Sequence, residues 1–103
     1  MMQQYGNEVD PYQLELLLSQ HSKIKEAKVV NIPDPQSGEI IIAWVIRESS
    51  DLSEAEVLHY CREEVSSSEV PQAVYFTEEF PMTASGKIQK VKLRDDAIKR
   101  YSK

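Results

Sequence analysis

The chain has 103 residues, which on the usual size scale is one small domain. It is 41% hydrophobic and 28% charged, a composition ordinary for a folded globule, and a chain this short buries only about 60–68% of its unfolded surface. That suits one core and argues against a large enzyme with its own deep substrate cavity.

In chain order, residues 1–10 lack the basic and apolar regions of a secretory signal, so none is expected there. Asp10-Pro11-Tyr12-Gln13 is a helix start: the aspartate can cap, proline suits the first position, and Gln13 can reach back. Leu14, Leu17, Leu18 and His21 follow as one apolar stripe, with His21 expected in the last turn. The β-branched stretch from Ala27 to Ile32 predicts a strand, ended by the breaker cluster Pro33 to Gly38. The apolar run from Ile40 to Ile46 predicts a strand buried on both faces, paired antiparallel with the first across the short connection.

Ser53-Glu54-Ala55-Glu56 is a capping box, and Val57, Leu58, Cys61 and Val65 give the second helix its buried stripe. Ser66-Ser67-Ser68 ends that helix, and Pro71 prevents its continuation. Ala73 to Phe76 is a third strand and Thr77 to Gly86 a loop. Val91, Leu93, Ala97, Ile98 and Tyr101 carry a last helix. The expected fold class is α+β: a small, mainly antiparallel three-stranded sheet with about three helices packed on it.

The net charge of -5 is uneven. Residues 87–103 carry seven basic against two acidic side chains, and the rest carries five basic against fifteen acidic. A basic end on an acidic body suggests either an anionic partner near that end or a solvated helix face. Nucleic acid is a poor candidate for the whole domain, because an acidic body repels phosphates and neither aromatic–basic interleaving nor zinc spacing is present. No apolar run approaches the roughly 18–20 residues of a membrane helix. The single cysteine, Cys61, allows no intrachain disulfide. It belongs with the core, and a lone thiol fits a reducing compartment, the cytoplasm being the simplest.

Several motifs fail. Gly86-Lys87 lacks the earlier glycine and following Ser/Thr of a phosphate-binding loop, since those places hold Pro81 and Ile88. His21 and His59 have no ligand partners at metal spacing, so no metal site is assigned. No Gly-x-Ser-x-Gly elbow supports hydrolase chemistry. What remains is Pro81-Met82-Thr83-Ala84-Ser85-Gly86-Lys87-Ile88. Small residues and glycine let a backbone approach a ligand closely, and lysine adds a mobile cation suited to phosphate or carboxylate oxygens. The same residues also make an ordinary glycine turn with an exposed lysine.

The stretch Phe80-Pro81-Met82-Thr83-Ala84-Ser85-Gly86-Lys87-Ile88-Gln89-Lys90, with Lys92-Leu93-Arg94, resembles the terminal motif of AMP-forming acyl-CoA synthetases. These belong to the adenylate-forming superfamily with 4-coumarate–CoA ligases, luciferases and peptide-synthetase adenylation domains. Gly6-Asn7-Glu8-Val9-Asp10-Pro11 with Leu14-Glu15, then Val29-Val30-Asn31-Ile32-Pro33-Asp34 with Gly38-Glu39, match further family segments in order. Cys61-Arg62 and Val70-Pro71 also fall in place. This sequence has Glu8 where the family has Asn, Gln13 where it has Glu, and Glu69 where a Lys is common.

The resemblance implies that residues 1–103 are one C-terminal lid domain of an acyl-CoA ligase, without the large N-terminal domain that binds ATP and the acid. It implies Lys87 as the catalytic lysine of adenylation, Thr83, Ser85 and Gly86 as the loop at substrate and nucleotide, and Gly6, Asn7 and Glu8 as a loop lining the CoA tunnel. ATP with Mg2+ and CoA are then substrates of the complete enzyme, with none bound by this domain alone. The implied partners are the N-terminal adenylation domain and a small carboxylic acid. The alternative is a free-standing, non-catalytic interaction or regulatory module that kept the lid fold.

Overall fold

The apolar run of the central strand sets the architecture. In the computed structural model, which describes residues 11–36, 38–65 and 69–101, this run lies in β2 (Gly38–Arg47). Successive side chains of a strand point to opposite faces. Ile41, Ala43 and Val45 therefore enter one core, and Ile40, Ile42 and Trp44 enter another. Both faces of β2 are covered, which is why its sequence shows no polar alternation.

The chain order is α1 (Pro11–Ser19), β1 (Ile24–Asp34), β2, α2 (Glu54–Glu64), β3 (Ala73–Phe76) and α3 (Lys90–Tyr101). The sheet runs β1-β2-β3. One core gathers Leu14 and Leu18 of α1, Val57 and Cys61 of α2, and Ala27 and Val29 of β1. The opposite core gathers Val30 and Ile32 of β1, Phe80, and Leu93 and Ala97 of α3. Helices thus sit on both sides of one thin sheet, and the chain builds two apolar layers where its length led to the expectation of a single core. A bulge between Ile24 and Glu26 inserts one residue and returns Ile24 to the face of Ala27 and Val29.

The long β1–β2 pair is antiparallel, as expected, but β3 joins β2 in parallel, Ile42 opposite Ala73 and Val45 opposite Phe76. The sheet is therefore mixed. Parallel neighbours need a crossover, and α2 supplies it. Ser53 caps α2, its side chain accepting the Glu56 amide at 3.1 Å, as the capping box predicts. The Glu54 carboxylate takes the Val74 amide at 2.9 Å and ties that helix to β3.

Three local expectations are corrected. β1 runs on through Pro33 and Asp34, inside the supposed breaker cluster, still paired with Glu39 and Gly38. The Val29 amide goes to Glu15 and not to β2, so alternate amides on this side of β1 face outward, and Pro33 occupies an outward place. His21 lies two residues beyond the end of α1, its Nδ1 accepting the Lys23 amide at 3.0 Å and its ring edge-on to Tyr60. Val91 is 71% exposed and contributes nothing to the core, because α3 turns Leu93 and Ala97 inward. The expected terminator Ser66 to Ser68 lies outside the described residues. No helix among the described residues is long and apolar enough to cross a membrane.

Candidate functional site

Residues 81–89 form a small hairpin standing on the α3 face of the sheet. Phe80, buried in that core, anchors its entry. Met82 bridges antiparallel to Ile88, and the Gln89 amide donates to the Pro81 carbonyl at 2.8 Å. Above that bridge the Thr83 amide donates to the Lys87 carbonyl at 2.8 Å, and the Gly86 amide donates to the Thr83 carbonyl at 2.9 Å. Gly86 has φ +89, the left-handed conformation that closes a three-residue hairpin loop.

Thr83 holds the turn together. Its hydroxyl accepts the Lys87 amide at 3.2 Å and lies 3.0 Å from the Ser85 hydroxyl. The tip residues Ala84, Ser85, Gly86 and Lys87 are all exposed. Among the described residues, no ion pair engages the Lys87 ammonium. The turn therefore carries the Lys87 side chain and the Thr83 and Ser85 hydroxyls together at one end of the hairpin. Thr83, Ser85, Gly86 and Lys87 share this one turn, whereas Gly6, Asn7 and Glu8 lie outside the described residues.

The base of the hairpin continues into α3 through Ile88, which packs on the core, and Lys90. Lys90 Nζ meets Glu15 Oε2 at 2.5 Å, and the same oxygen accepts the Val29 amide at 2.8 Å. Lys28 Nζ lies 3.9 Å from the other oxygen. Glu15 is the buried carboxylate of α1 at 8% exposure, and it joins α1, β1 and the start of α3. Sequence reasoning gave Glu15 no role. The available signal was its place between Leu14 and Leu18 on the inward side of α1, where an unpaired charge would be costly.

Beside the hairpin a groove of about 360 Å³ is lined by Trp44, Pro81, Lys92, Asp95, Lys99 and Arg100, among others. The Arg100 guanidinium lies over the rings of Trp44 and Tyr75, 5.0 and 5.3 Å from their centroids. The Trp44 indole N–H donates to the Leu93 carbonyl at 3.1 Å. Burial pushes the Cys61 thiol up to about 11, which suits a core residue and not a nucleophile. Among the described residues, no group of three or more His, Cys, Asp or Glu side chains could hold a metal ion.

A mixed sheet with helices on both faces and a lysine-tipped hairpin defines this small α+β domain. The family model for the AMP-binding enzyme C-terminal domain matches residues 13–87. The chain is 37% identical to YngI of Bacillus subtilis (strain 168), whose name places it among acyl-CoA synthetases. That match runs over 98 residues, 94% of this chain and 18% of that protein. It is 34% identical over 96 residues to the medium-chain acyl-CoA ligase ACSF2, mitochondrial, of Danio rerio, covering 92% of this chain and 16% of that one. Among solved structures, apo MatB from Rhodopseudomonas palustris matches with a TM-score of 0.84 at 29% identity, over 90% of this chain and 19% of that one.

The chain belongs to the AMP-binding enzyme C-terminal domain family, the C-terminal domain of AMP-forming acyl-CoA ligases. It spans under a fifth of the length of these two curated relatives.

Proposed function

We propose that this chain is the mobile lid of an AMP-forming acyl-CoA ligase, and that Lys87 is its adenylation lysine. The partner is a large N-terminal domain that binds ATP and a carboxylic acid, in the same chain or a separate one. The overall reaction joins the acid to CoA while ATP goes to AMP and pyrophosphate. Mg2+ enters with the phosphates of ATP.

The observation that carries this reading is the exposed Lys87 on a hairpin whose turn is fixed by Thr83 and Gly86. When the acid carboxylate attacks the α-phosphate, negative charge builds on the phosphoryl oxygens. A cation held in place before the reaction stabilises that charge without reorganisation. The Thr83–Ser85 hydroxyl pair offers further donors at the same edge. Gly6, Asn7 and Glu8 would line the CoA tunnel after the lid rotates for thioester formation.

The test combines this chain with a ligase from which the C-terminal domain has been removed. Acyl-AMP formation is followed by pyrophosphate release, and thioester formation by supplying acyl-AMP and CoA. The intact chain restores both steps. Lys87→Ala lowers the first by roughly 100-fold or more, the usual scale for an electrostatic stabiliser, and leaves the second. Equal loss of both steps would rule out Lys87 as the adenylation lysine.

A further inference from the structure

Lys90 stands where a lysine is electrostatically misplaced. It is the first residue of α3, whose first turn holds no acidic side chain. The positive end of a helix dipole disfavours a cation there. The compensating charge comes from a different element: Glu15 of α1 meets Lys90 at 2.5 Å while also holding the Val29 amide on the outward edge of β1. Only two residues, Ile88 and Gln89, separate Lys90 from Lys87, and both are fixed, Ile88 by the bridge to Met82 and Gln89 by the Pro81 carbonyl. The hairpin thus has no slack between its cation and the Glu15 anchor.

We infer that Glu15 is a positioning residue for Lys87, acting through Lys90. It sets where the outgoing arm of the hairpin leaves the sheet, and so where the cation sits when the lid closes. Lys28, 3.9 Å from the other Glu15 oxygen, balances the carboxylate on its second side. The positioning role rests on Lys87 being the adenylation lysine, but its first test does not.

Backbone amide exchange is measured on this chain, alongside urea unfolding, for Glu15→Gln, Lys90→Met and the double variant. Glutamine retains an oxygen for the Val29 amide, and Lys90 is on the outside of the fold, so both variants spare the core. Exchange at Thr83, Gly86 and Gln89 is expected to rise on the order of tenfold in each single variant, the scale of one charge-assisted bond. The double variant should rise no further, since both changes break the same contact. Amides of α2 should follow only the global stability. Hairpin amides that move no more than those of α2, or single effects that add, would overturn the inference.

The second readout is acyl-AMP formation with the lidless ligase. Glu15→Gln is expected to lower kcat on the order of tenfold with KM for ATP and acid within about twofold, because substrate sites lie on the other domain. If the hairpin amides respond and neither Glu15→Gln nor Lys87→Ala alters acyl-AMP formation, the role of Lys87 fails while the anchor stands. If Lys87→Ala abolishes the step and Glu15→Gln leaves it unchanged, the positioning role fails.

Discussion

Replacing Gly86 with alanine separates backbone strain from crowding. A Cβ built on Gly86 meets nothing within 4 Å, so no neighbour has to move. The cost comes from φ +89 alone. Holding an L-residue in the left-handed region costs about 1–2 kcal/mol. Alanine also has less freedom than glycine in the unfolded chain, which offsets about 0.4–1 kcal/mol. The net loss is on the order of 1 kcal/mol, about a fivefold fall in the folded-to-unfolded ratio. Urea unfolding can be followed by Trp44, the chain's single tryptophan, 2% exposed beneath α3. With a slope of about 1 kcal/mol per M for a small protein, the midpoint should drop by roughly 1 M. The decisive control is D-alanine at position 86, introduced by peptide ligation. It adopts positive φ freely and should unfold no earlier than the glycine chain. A D-alanine chain as weak as the L-alanine chain would show that space, not φ, governs this turn. An unmoved midpoint for L-alanine would refute the strain argument altogether.

Other outcomes follow from single contacts. Trp44→Phe removes the indole bond to the Leu93 carbonyl and part of the Arg100 stack; Leu93 lies inside α3, where its carbonyl keeps a helical partner, so circular dichroism in urea should register a loss of about 1 kcal/mol, the usual net worth of one hydrogen bond. Ser53→Ala strips the cap from the Glu56 amide and should cost about 1 kcal/mol, with glycine there costing less. Cys61, raised by burial from its ordinary 9.0 to about 11, stays protonated in the fold after the unfolded chain has ionised. Its contribution is fully present below pH 9 and is lost as pH rises through the folded value. Cys61→Ala should flatten that fall in a pH series of unfolding curves, and iodoacetamide should label the native thiol only on unfolding.

The parts of the fold that could be read beforehand are those governed by short-range chemistry. The Ser53 cap, the doubly buried run of β2 and the Leu93–Ala97 face of α3 each follow from residues within one turn or one strand. What escaped depends on partners distant along the chain. Pro33 reads as a breaker until the edge position of β1 places its missing N–H outward. The parallel pairing of β3 depends on α2 crossing the sheet, which no local pattern encodes. Glu15 is ordinary by composition, and its value as an anchor comes from Lys90, seventy-five residues away. Within the site, the hairpin tip was legible from glycine and small residues, and its supporting base was not.

The short turn above the Met82–Ile88 bridge also limits how this segment can change in length. In a two-stranded ribbon, side chains alternate between faces, so a slip of one residue inverts every position beyond it. Lys87 follows the left-handed glycine directly and belongs to the closing pair with Thr83. An insertion of one residue between Lys87 and Ile88 would turn the lysine to the opposite side of the ribbon while leaving Ile88 on the core. The fold would survive and the reach would be lost. Substitution at exposed Ala84 carries no such penalty. Length at this tip is therefore a constraint separate from residue identity, and a domain with a longer tip would need its cation at a different place in the sequence.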